Sequence, residues 1–103
     1  MTIVRARDGG DLELAVDVVT AAVALLRAQP GAPAVGAAVR RASAAVAALP
    51  DDLTARVLYR LLGAIEDCHR GGVAASPRLA AAWRSIGIAL RLDPRWGRPD
   101  RAA

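Results

Sequence analysis

Apolar side chains recur along the first third of this chain at alternating steps of four and three: Leu12, Val16, Val19, Val23 and Leu26. That spacing puts them on one face of an α-helix, predicted here over 11–29. A second stripe, Leu14, Val18, Ala21 and Leu25, runs beside the first. Only Glu13, Asp17, Thr20 and Arg27 interrupt the apolar surface. A helix apolar on so much of its circumference is expected to be buried on more than one side. It is therefore read as the central helix of the fold or as the seam of a dimer. Asp11, Glu13 and Asp17 are placed in its first turns and Arg27 in its last, which suits the helix dipole.

Three further helical segments follow, separated by breakers. The run PGAP (30–33) ends the first helix. Val35, Val39, Ala42, Val46 and Leu49 then mark a second helix over about 34–49, stopped by Pro50. Asp51 is read as the N-cap of a third helix, with Asp52 in its first turn, running to about Arg70 and ended by Gly71-Gly72. Ser76-Pro77 announces a fourth helix, with Ser as N-cap and Pro at the first helical position. Its inner face is expected to hold Leu79, Trp83, Ile86 and Leu90, and Asp93-Pro94 closes it.

These segments predict an all-α fold, a compact up-down bundle of four short helices with an extended C-terminal tail. Short connections make sequential helices antiparallel neighbours. Residues 1–10 are read as a flexible segment in which 2–7 form one short strand or stay disordered. Residues 11–92 are the bundle, and 93–103 form an Arg/Pro-rich tail carrying Trp96.

Composition sharpens this picture in three ways. The chain has 103 residues and no Phe, and much of its 54% hydrophobic content is Ala. Alanine lets helices approach closely but buries little area, so burial between chains is a natural supplement to the core. Every basic residue is Arg, and the charge is lopsided: residues 1–52 are nearly neutral, while nine Arg fall in 53–103. The one cysteine, Cys68, permits no intrachain disulfide, which suits a reducing compartment. The first ten residues lack the apolar core of a secretion signal, and VVTAAVALL (18–26) is too short to span a bilayer. A cytoplasmic location is expected.

The stretch LYRLLGAIEDCHRGG (58–72) gathers Tyr59, Glu66, Asp67, Cys68 and His69. On a helix, Leu58, Leu61, Leu62, Ile65 and Cys68 share the apolar face. Cys68 and His69 are neighbours in sequence and their side chains diverge, so they do not make a nucleophile–base pair. Cys68 reads as a small buried hydrophobe. His69 and Glu66 lie three apart, but a helical metal site draws ligands from several helices. The chain has one His and two Glu, so neither metal nor cofactor is expected. Glu66 and Arg70 are placed to form a surface pair one turn apart.

Two groups of residues remain as candidate binding surfaces. Trp96 with Arg91, Arg95 and Arg98 forms an aromatic anchor flanked by Arg, a combination enriched in protein interfaces. Alternatively, Trp96 folds back and fills a groove of the bundle. If the fourth helix continues to 95, Arg84, Arg91 and Arg95 fall along one side. With Arg56, Arg60 and Arg78 they make a basic face for phosphates. That face lacks the aromatic platform of single-strand binders and any helix-turn-helix or zinc-knuckle signature. The expected function is a non-enzymatic protein-interaction module that self-associates through Leu14, Val18 and Leu25. Its partner would be a second copy or another protein. The alternative is a nucleic-acid-binding subunit. An enzyme with an Arg-lined pocket ranks last, because acid–base candidates are few.

Overall fold

The computed structural model describes residues 2–97, with side chains from Gly10 onward. Four helices follow in order: α1 (Thr2–Ala28), α2 (Pro33–Ala47), α3 (Leu53–Gly71) and α4 (Pro77–Leu92). The described residues contain no strand, and the fold is all-α.

Local chemistry sets most of the helix ends. Gly31, at φ 85°, turns the chain between α1 and α2, and Pro33 opens α2. Asp52, one residue later than expected, caps α3 by accepting a hydrogen bond from the Ala55 N–H at 3.0 Å. Gly72 ends α3 in the left-handed conformation, φ 66°, and the Val73 N–H reaches back to the Cys68 carbonyl at 3.0 Å. Ser76 caps α4 through the Leu79 N–H at 3.0 Å, with Pro77 in the first turn. Both caps are the Asp and Ser oxygens that satisfy orphan N–H groups.

The beginning of α1 departs from the sequence reading. The helix starts at Thr2, so residues 2–7 do not form a strand. Gly9 and Gly10 lie within the helix, where each glycine costs only about 1 kcal/mol, and no proline interrupts 1–29. Asp11, Glu13 and Asp17 consequently lie in mid-helix, and no acidic residue occupies the first turn.

Consecutive helices pack side by side, and α3 also packs against α1. It is α3, and not α1, that touches all three others. The reason is its residue set. Nine side chains of α3 are buried, among them Val57, Leu58, Leu61, Leu62 and Ile65, and they cover roughly half its circumference at 100° per residue. On α1 the buried set is a narrower stripe: Leu12, Ala15, Val19, Ala22, Val23 and Leu26. Its second stripe is mostly left outside, with Leu14 exposed and Val18 and Leu25 half-buried at the edge of the core.

After α4 the chain turns instead of extending. Asp93 is buried, and the Trp96 N–H donates to its carbonyl oxygen at 3.2 Å. The Trp96 ring is half-buried against the core. Asp93 and Arg95 form the polar clip that holds this turn. The Arg95 Nε and backbone N–H both donate to Asp93 Oδ1 at 2.9 Å, and Nη2 donates to Asp93 Oδ2 at 2.7 Å. Thr54 Oγ1 donates to Asp93 Oδ2 at 2.6 Å, and Arg95 Nη2 also reaches Asp52 Oδ2 at 2.8 Å. The C-terminal turn is thereby fastened to the N-terminus of α3. The Arg95 hydrogen bonds hold the Asp93 carboxyl far below the usual carboxylate range, against the opposing effect of burial, and the Thr54 hydroxyl assists. In return the Asp93 carboxylate raises the Arg95 guanidinium.

Candidate functional site

The bundle is open on one side. Among the described residues α1 and α4 come nowhere within 8 Å of each other, Cα to Cα. A groove runs between them with α3 as its floor. Its lower half, about 180 Å³, is lined by Val16, Val19 and Thr20 of α1, Leu58 and Leu61 of α3, and Trp83, Ile86, Gly87 and Leu90 of α4. Its upper half, about 220 Å³, is lined by Val23 and Arg27 of α1, residues 74–76 of the α3–α4 loop, and Leu79, Ala80, Trp83 and Arg84 of α4.

Trp83 stands where the two halves meet. The sequence places it on the inner face of α4 with Leu79, Ile86 and Leu90, and those three are buried. Trp83 is 37% exposed instead. The open α1–α4 side leaves its ring partly uncovered, and the Arg27 guanidinium carbon lies 6.0 Å from the ring centroid. That cation–π contact is worth about 0.5–1 kcal/mol at an exposed site.

The rims carry charge. Glu13, Thr20 and Arg27 recur every seven residues and form one stripe on the α1 rim. Arg84 and Arg91 form the matching stripe on α4. None of these four charged side chains has an ion-pair partner among the described residues. Elsewhere the acids are matched: Asp51 pairs with Arg56, Glu66 with Arg70, Asp67 with Arg78, and Asp52 and Asp93 with Arg95. The described acids left without a partner, Asp11, Glu13 and Asp17, all lie on α1.

The other candidate residues are dispersed. Arg95 is turned inward by Asp93 and Asp52 and is 19% exposed, so it is not presented beside Trp96 to a partner. Trp96 leans on the core, Arg91 is exposed on α4, and Arg98 lies outside the described residues. Because α4 ends at Leu92, Arg95 does not continue the line of Arg84 and Arg91. The six Arg proposed for phosphate do not share one face. Arg60 and Arg78 line a shallow cleft of about 320 Å³ with Ser85, while Arg84 lines the groove on the other side of α4. Arg56, Arg78 and Arg95 are already ion-paired.

In the 58–72 stretch, the residues with chemical potential point apart. Cys68 is buried, and its thiol lies 3.4 Å from the Ser76 hydroxyl. His69 leans toward α2: a methyl on Gly36 would stand 3.7 Å from its Nε2. Its Nδ1 is buried without a hydrogen-bond partner. Tyr59 is exposed, and Glu66 pairs with Arg70 at 3.7 Å on the surface. No group of three His, Cys, Asp or Glu side chains comes together among the described residues. No described helix is long and apolar enough to cross a membrane.

Sequence reasoning missed two features. The first is the Thr54–Asp93–Arg95–Asp52 clip. Thr54 falls on the apolar face of α3, four residues before Leu58, and a hydroxyl there signals a buried partner. The second is the groove itself, because apolar periodicity records that a helix face is buried but not which neighbour covers it. Compared with protein-family models, curated proteins and solved structures, the chain matches none.

Proposed function

We propose that this chain is a non-enzymatic protein-interaction module whose docking surface is the groove between α1 and α4. One observation carries the reading: a four-helix fold that leaves α1 and α4 unpacked against each other, with a Trp in the opening. Apolar clefts with a central aromatic and charged edges are the usual anatomy of a protein interface. The reading replaces the sequence-based surfaces in part. Val18 and Leu25 are half-buried in the fold itself, and the Trp96–Arg95 tail is clipped to α3. The division of the Arg between two sides of α4, and the pairing of three of them, favours protein over nucleic acid as the partner.

A photo-crosslinking residue tests the surface by position. Placed at Thr20 on the groove, it is expected to give a discrete protein adduct. Placed at Ala44 on the exposed back of α2, it is expected to give none. Equal labelling at both positions, or silence at Thr20, would contradict the groove as a docking face.

A further inference from the structure

Resting on that reading, we infer that the groove's partner is a second copy of this chain, related by a two-fold axis running along the groove. The argument is electrostatic and geometric. α4 runs antiparallel to α1, and Val16, Val19 and Thr20 share one level of the groove with Trp83, Ile86 and Leu90. At a rise of about 1.5 Å per residue, Glu13 then lies level with Arg91 in the last turn of α4, and Asp17 about one turn further along. Within one chain these charges stand on opposite rims and do not pair. A two-fold axis along the groove turns the rims over. Each α4 rim then lies above the partner copy's α1 rim at the same height, so that Arg91 meets Glu13 and Asp17 twice. An isologous interface requires this self-complementarity.

The accompanying area is modest. α4 has 16 residues, so the face is about 24 Å long, and two helices make it about 20 Å wide. Burying such a face on both chains removes on the order of 1,000 Å², the low end for a specific interface. An area at that end of the range suits a reversible dimer. Glu13, Asp17 and Arg91 are exposed, so reversing their charge leaves the fold intact, which circular dichroism verifies.

The experiment is a charge swap followed by sedimentation velocity. One variant carries Glu13→Arg and Asp17→Arg, the other Arg91→Glu. The unmodified chain is expected to dimerise between about 1 µM and about 200 µM. Each variant alone is expected to dimerise at least tenfold more weakly, and an equimolar mixture to recover association as a heterodimer. A monomeric unmodified chain overturns the self-pairing while leaving the groove open to another protein, which the Thr20 crosslink reports separately. Variants that self-associate as tightly as the unmodified chain, or a mixture that stays monomeric, overturn the arrangement of rims.

Discussion

Asp93 shows how much one side chain decides in a small helical protein. Its carboxylate accepts from Thr54 and Arg95 while nearly out of solvent. Replacing the carboxylate leaves Arg95 with Asp52 as its one charged partner and weakens the charge-assisted hydrogen bonds, at a cost of about 2 kcal/mol. Asp93→Asn is therefore expected to lower Tm substantially at neutral pH. The pH dependence follows from the depressed carboxyl. An Asp whose folded pKa lies below its unfolded value near about 3.9 contributes fully above that value. The contribution fades as pH falls toward the folded pKa. Thermal melts of the two proteins should differ at pH 6 and converge in strong acid; a constant gap across that range would remove Asp93 as the titrating group. Cys68 offers a second test. Buried beside Ser76, it should resist a thiol reagent in the native protein and react on unfolding. Fast native labelling would contradict its place in the core.

Among the helices, the ends were legible in the sequence and the packing was not. Ser76-Pro77 and Gly71-Gly72 are local signals, and they mark the ends they announce. Gly72 holds φ 66°, a region that costs a side-chain-bearing residue about 1–2 kcal/mol. Gly72→Ala should destabilise by about 1 kcal/mol in urea unfolding, whereas Gly36→Ala, inside α2 in ordinary backbone with contacts no closer than 3.7 Å, should stabilise by up to about 1 kcal/mol. Equal losses at the two positions would refute the conformational explanation. The start of α1 was placed at Asp11 because the apolar spacing begins at Leu12, whereas the helix begins at Thr2. The centrality of α3 escaped because α1 looks more apolar along its length. Much of that surface is alanine, and the large aliphatic side chains on half the circumference of α3 decide which helix the others surround.

Taken as one object, the protein is a bundle with a missing contact. The fold class followed from four periodic segments, since periodicity is a property of each helix alone. The groove did not follow, because it depends on α1 and α4 failing to meet, and Trp83 looked like any other core residue at its position. Its charge is equally collective. Among the described residues the chain matches its acids to Arg everywhere except along α1, where Glu13 and Asp17 are exposed. With the Arg divided between two sides of α4, labelled RNA and duplex DNA are expected to show no saturable binding at physiological salt. Binding with a log–log salt slope of several units would reinstate phosphate recognition.

Fluorescence quenching of Trp83 tests the central claim most directly. In a Trp96→Phe background Trp83 is the sole indole, and it stands in the groove that a second copy is proposed to cover. Acrylamide quenching should fall as protein concentration rises through the dimerisation range, and it should stay high at all concentrations when Arg91→Glu is added. Quenching that is independent of concentration in the chain with native rims would contradict closure of the groove by a second copy.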